Sequence, residues 1–258
     1  MVLDPAALRL DGRVALVTGA GAGIGRAIAL ACARFGADVA GCDRDGEGLD
    51  ETLGGIRAAG RRAWRGVFDV REREAVRDFV SRVAREAGRI DVLVNNAGGG
   101  FQAPFVDVSA KGEDALVREN FTSVTAFIRA VVPHMPAAGG SIVNVTSIEA
   151  QRAAPGWAVY AAMKAAVESL TRSLALELGE RRIRVNCIAP DVIPTPGIGT
   201  PAVRTPLPRA GHVDDVAAAA LYLASDLAGF VTGTTLAVDG GNRAAGGWRR
   251  TADGGFEP

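Results

Sequence analysis

The 258-residue chain carries 29 Lys+Arg against 29 Asp+Glu, a formal net charge of zero, and so lacks the basic footprint of a nucleic-acid or membrane-surface binder. Cys32, Cys42 and Cys187 are odd in number and without CxxC spacing, which argues against a disulfide framework or a zinc site and for a reducing compartment. With no basic n-region at the N-terminus and no apolar run of about 18 residues, a soluble, cytoplasmic protein with a small-molecule partner is expected.

Short apolar, β-branched runs alternate with longer segments of helical period. Strands are predicted at RVALVT (13–18), ADVAGC (37–42), RAWRGV (62–67), IDVLVN (90–95), GSIVNVT (140–146), IRVNCIA (183–189) and TTLAVD (234–239). Helices fill the gaps near 23–35, 46–59, 71–87, 112–137, 157–179 and 213–225. This order reads as an α/β fold, a single doubly wound parallel seven-stranded sheet (Rossmann fold) with helices on both faces. The whole chain, 1–258, is expected to form one domain. Residues 190–212, rich in proline, read as a substrate loop or lid, and residues 243–258 as a C-terminal tail that docks through Trp248 and Phe256.

The stretch VTGAGAGIG (17–25) follows the first strand and opens a helix. Gly19, Gly23 and Gly25, with Ile24 between the last two, follow TGxxxGxG rather than the commoner GxGxxG. Glycines there let the backbone turn sharply and approach a pyrophosphate lying against the positive end of the helix. Asp43 ends the second strand eighteen residues beyond Gly25, close to the spacing at which a carboxylate meets an adenosine ribose and repels a 2′-phosphate. NAD is therefore expected in preference to NADP, although Arg44 could pair with a 2′-phosphate or stack on adenine.

Of the 29 basic side chains 27 are arginine, yet a lysine stands at 164, four residues after Tyr160 and on the same face of a helix. A lysine ammonium is a compact charge able to tune a neighbouring phenol. His134 and His212 are the only histidines and fall in no ligand-spaced motif, so no metal site is expected.

Taken together, TGAGAGIG at 18–25, NNAG at 95–98, Asn120 in VREN, Ser147 in NVTS, YAAMK at 160–164 and VDGG at 238–241 make the chain similar to the short-chain dehydrogenase/reductase family from residue 10 to about 242. The resemblance implies an oxidoreductase moving hydride between NAD(H) and a secondary alcohol or ketone, such as a steroid, sugar or 3-hydroxyacyl group. It assigns Tyr160 as general acid/base, Lys164 as the cation that lowers the phenol's pKa together with the oxidised nicotinamide, and Ser147 as the group that holds the substrate oxygen. Asn120 would support a water-mediated proton relay to the lysine. Asp69 and Val70 would meet the adenine, Asn95 and Asn96 would line the cofactor or support the sheet, and Ile193 and Thr195 would meet the carboxamide. Asp191 stands where the family usually has Gly, and is either a carboxylate at the substrate mouth or a surface residue. Glu149, Gln151 and Trp157 are candidate substrate walls. Enoyl-thioester reduction is disfavoured, because that branch spaces its Tyr and Lys more widely. The resemblance also implies a homotetramer built through the YxxxK helix. The alternative is a catalytically idle NAD(H)-binding regulatory protein on the same fold.

Overall fold

A computed structural model describes residues 4–195, 198, 203, 205–251 and 255–257. Seven strands, β1 Val14–Thr18, β2 Asp38–Asp43, β3 Ala63–Val67, β4 Val92–Asn95, β5 Gly140–Val145, β6 Ile183–Pro190 and β7 Thr235–Val238, form one sheet in the order β3-β2-β1-β4-β5-β6-β7. Every pairing within it is parallel. All residues of β1 and β4 are buried, as central parallel strands covered on both faces require.

The covering helices are α1 Gly23–Arg34, α2 Gly46–Ala58, α3 Arg73–Ala87, α4 Ala110–Val117, α5 Ser123–Val131, α6 Ala158–Glu177 and α7 Val213–Ala224. On one face α1, α2 and α7 bury Ile28, Leu49, Leu53 and Leu221 against β1 and β4. On the other, α3, α5 and α6 bury Val76, Phe79, Phe127 and Val167. The termini of the helices follow from local chemistry. Gly88, left-handed at φ 82, closes α3, and His212 with Asp215 forms a capping box at the start of α7. The three thiols are free and buried, and burial pushes the pKa of each up, those of Cys32 and Cys187 to about 12, which disfavours the nucleophilic thiolate.

The helix predicted over 112–137 is broken. Between α4 and α5, residues Arg118–Thr122 form a π-helical turn centred on Asn120. The Asn120 amide donates to the Leu116 carbonyl at 3.0 Å and the Gly99 carbonyl at 2.8 Å, and accepts from the Gly99 amide at 3.2 Å. A side chain that bonds the backbone of its own preceding turn opens the helix there. Pro133 then ends the run in a 3-10 turn, Val132–His134. After β7 come a short helix, α8 Asn242–Ala245, and a two-residue antiparallel pair, β8 Arg249–Arg250 with β9 Phe256–Glu257, none of which the hydrophobic pattern indicates.

Candidate active site

The loops leaving the carboxyl ends of the strands surround a cavity of about 780 Å³. In a doubly wound sheet this is where the strand order reverses and ligands collect. Its floor and walls include Gly19, Gly23 and Ile24 after β1, Asp43 and Arg44 at β2, Asp69 and Val70 beyond β3, and Asn96 beyond β4. Ser147 follows β5, Ile193 and Thr195 follow β6, and Tyr160 and Lys164 descend from α6.

At the β1 end the backbone itself forms the surface. Gly19 and Gly23 sit at φ 65 and 53, conformations that side-chain-bearing residues seldom adopt. A Cβ at Gly25 would stand 2.0 Å from the Gly19 carbonyl oxygen, so this glycine serves close packing of the loop on α1 and does not line the cavity. Asp43 braces the loop, accepting from the Gly21 amide at 2.8 Å and the Asp45 amide at 3.0 Å, with acceptor capacity left on both oxygens. Asn96 ties β4 to the same loop, its side chain donating to the Thr18 carbonyl at 3.0 Å and the Gly19 carbonyl at 3.2 Å. This glycine cradle, with a carboxylate at the end of β2, fits a dinucleotide. Asp69 is gripped by the Arg71 guanidinium, which holds its carboxyl below the usual carboxylate range. Asn95 lies under the cavity instead of along it. It is buried, its amide donates to Asn144 at 2.8 Å, and its own carbonyl oxygen has no protein partner.

At the β5 end Ser147 caps a 3-10 turn, Ile148–Gln151, by accepting from the Glu149 amide at 3.2 Å. Tyr160 and Lys164 project from consecutive turns of α6, and Trp157 packs edge-on to Tyr160 with centroids 5.9 Å apart. Lys164 is buried. Its ammonium donates to the Val145 carbonyl at 3.0 Å and lies 5.6 Å from the centre of the Tyr160 ring. Burial brings its pKa down to about 8. Gly98 makes room here, since a Cβ on it would lie 2.8 Å from Asn120 and 2.9 Å from the ammonium.

Burial raises the Tyr160 pKa above its ordinary value, the negative charge of Glu149 adds to the rise, and a hydrogen bond with Ser147 opposes them. The Lys164 ammonium faces the ring and donates to the Val145 carbonyl. The protein alone therefore keeps Tyr160 protonated.

The structure brings Ser147, Tyr160 and Lys164 to one end of the cavity, with Asn120 behind Gly99. Glu149 and Trp157 line that end, as does Asp191, whose carboxylate accepts from Asn242 of α8 at 2.7 Å. Gln151 turns away instead. Its amide donates to the buried Glu168 at 2.9 and 3.0 Å, and its carbonyl accepts from Arg243. The tail is thus held by polar side chains of α8. Trp248 is half exposed and does not line the cavity, while the side chain of Phe256 lies outside the described residues. Glu119, also on the cavity wall, escaped the sequence reading, although its place beside Asn120 could have signalled it.

Comparison with known proteins decides the kinship. A family profile described as "Enoyl-(Acyl carrier protein) reductase" matches residues 19–243. The gluconate 5-dehydrogenase of Gluconobacter oxydans is 39% identical over 248 residues, covering 92% of this chain and 97% of that one. The chain belongs to the short-chain dehydrogenase/reductase family. It is an oxidoreductase acting on alcohol and carbonyl groups. The D-threitol dehydrogenase of Mycolicibacterium smegmatis is 40% identical over 246 residues, with 90% and 94% of the two chains covered. A solved 7 alpha-hydroxysteroid dehydrogenase, complexed with NADH and 7-oxo glycochenodeoxycholic acid, superposes with a TM-score of 0.88 at 35% identity, covering 93% of this chain and 98% of that one. Among the described residues, no helix is long and apolar enough to cross a membrane.

Proposed function

We propose that this family member passes hydride between NAD(H) and a secondary alcohol or ketone, with Tyr160 as general acid/base. The observation that carries the reading is the meeting of Ser147, Tyr160 and Lys164 at one end of a cavity whose other end is the glycine cradle. When bound, the nicotinamide accepts or supplies the hydride, and its oxidised form brings a positive charge. Gly19, Gly23 and Ile24 would receive the pyrophosphate, Asp43 the adenosine ribose, Asp69 and Val70 the adenine edge, and Asn96, Ile193 and Thr195 the remaining length. Asn95 and Gly25 support these contacts from below.

Tyr160 holds the transferable proton at its phenolic oxygen. Ser147 lowers the pKa of that oxygen against the rise from burial and is placed to hold the substrate oxygen beside it. Because burial and Glu149 both oppose ionisation, the phenol stays protonated and so holds the proton that carbonyl reduction requires. It takes one from an alcohol only when further positive charge stands nearby. Lys164 supplies a buried ammonium and Asn120 fixes the Gly99 backbone in front of it, which supports a proton path along that side. The one-turn separation of Tyr160 and Lys164 favours carbonyl over enoyl chemistry.

NAD is preferred to NADP in this reading, because the Asp43 carboxylate lines the cavity at the end of β2, where it would accept from a ribose diol and repel a 2′-phosphate, and Arg44 beside it is the lesser influence. Residues 190–212 serve as a substrate loop, supported by Ile193, Thr195 and Ile198 on the cavity wall; Pro196, Gly197, 199–202 and Arg204 lie outside the described residues. A homotetramer is supported by the exposed Leu176 on α6, and a reducing cytoplasm by three free, buried thiols. The three relatives bear names for three different substrates, so kinship leaves the substrate class open.

The test is cofactor absorbance with NAD or NADP and a panel of secondary alcohols, using Tyr160→Phe as control. Turnover that disappears in Tyr160→Phe while NADH still binds supports the assignment. Turnover preserved in the variant removes Tyr160 from the mechanism.

A further inference from the structure

The catalytic end of the cavity carries more carboxylates than cations. Around Ser147 and Tyr160 the wall carries Glu149 and Asp191, with Glu119 nearby, and among the described lining residues the sole cation there is Lys164. That ammonium is buried and bonded to the Val145 carbonyl. The other lining cation, Arg44, follows β2, which lies three strands from β5, roughly 14 Å across the sheet.

Glu149 has a defined orientation. It stands two residues beyond Ser147 in the capped 3-10 turn, and Arg152 grips it from behind, Nη2 donating to Oε1 at 2.7 Å and Nε to Oε2 at 3.4 Å. Arg152 does not line the cavity, whereas Glu149 does and acts electrostatically on the Tyr160 phenol. A carboxylate has about four lone-pair positions, so two remain for donors on a bound molecule. Asp191 accepts from Asn242 with one oxygen and is fixed by α8. An anionic substrate group entering here would meet carboxylates in a partly desolvated cleft, and an apolar one would strand their unused acceptors. A substrate hydroxyl satisfies them.

We propose that the alcohol taken by this site is a neutral polyol, and that Glu149 selects it by accepting a hydrogen bond from the hydroxyl next to the reacting carbon. Arg152 acts through Glu149 as a positioning residue. The inference rests on the Tyr160-dependent reaction proposed above and adds its substrate class.

The test compares D-threitol and xylitol with gluconate and a 7-hydroxy bile acid, on the full chain with NAD. Wild type should turn over at least one polyol with kcat/KM about 100-fold or more above the two anions. Glu149→Gln should lower that kcat/KM about 10- to 100-fold, as expected for losing a charge-assisted hydrogen bond, chiefly through KM. NADH fluorescence titration checks that the variant still folds and binds cofactor, with Glu149→Asp as a second variant that retains the charge. A binding readout independent of turnover is the thermal shift that the polyol produces on NAD-loaded Tyr160→Phe, which should be lost when Glu149→Gln is added. Preferred turnover of gluconate or the bile acid, no turnover of any polyol, or an unchanged polyol kcat/KM in Glu149→Gln overturns the inference. In those cases Tyr160-dependent activity on another class leaves the reaction standing, and its absence from every class brings down both.

Discussion

Lys164 is costly to the fold, and the cost can be measured. Its ammonium is buried on α6, and burial lowers its pKa from the ordinary 10.5 to about 8. With the folded value below the unfolded one, the native protein must charge an interior amine at any pH under about 8 and bears the full penalty there. Between 8 and 10.5 the unfolded chain holds a proton that the native state lacks, so stability recovers as pH rises through that window. The gap corresponds to about 3 kcal/mol. Lys164→Met keeps an unbranched chain of similar volume and removes the charge, while forfeiting the bond to the Val145 carbonyl, worth about 1 kcal/mol. Urea unfolding of the cofactor-free proteins should therefore find the variant more stable by about 2 kcal/mol near pH 7, with the advantage shrinking towards about pH 10. Its Tyr160-dependent turnover should be lost throughout. Parallel stability curves, or a variant less stable at neutral pH, would refute the view that Lys164 is a buried cation kept for chemistry.

Three further perturbations probe the rest of the site. Gly25→Ala places a Cβ 2.0 Å from the Gly19 carbonyl oxygen, so thermal melts and NADH titration should show a loss of about 3 kcal/mol or more with weakened binding; unchanged values would mean the loop lacks that contact. Asp43→Ala should reduce the ratio of kcat/KM for NADH over NADPH by about 10-fold, and an unaltered ratio would leave Asp43 as a brace for the Gly21 amide alone. Removing residues 243–258 frees Gln151 from Arg243, and the truncated protein should show a raised KM for substrate with NADH affinity intact. An unaltered KM would make that contact incidental.

How much of this was legible in the sequence depended on the range of the interactions involved. The seven strands and most helices follow from local periodicity, because β-branched runs such as VALVT and helical stripes such as that of α3 carry their own signal. The break at Asn120 was not legible, since it depends on a partner, Gly99, twenty-one residues earlier. The Gln151–Arg243 and Asp191–Asn242 contacts, 92 and 51 residues apart in the chain, were equally hidden. Residue types at family spacings pointed to Ser147, Tyr160 and Lys164 but carried no information on the direction of the ammonium, which donates to the Val145 carbonyl. Asn95 shows the same limit. It belongs to a recognisable motif, yet its place beneath the cavity is set by Asn144 on the neighbouring strand.

Catalysis here turns on a phenol that the protein keeps protonated and that ionises when the cofactor's positive charge is beside it. With Tyr160 and Tyr222 as the only tyrosines, Tyr222→Phe isolates the one of interest. Ultraviolet difference titration of that variant, without and with NAD⁺, is the most direct test. Phenolate should form above the ordinary pKa near 10 in the protein alone, and at distinctly lower pH once NAD⁺ is bound. A titration that NAD⁺ leaves unmoved would contradict it.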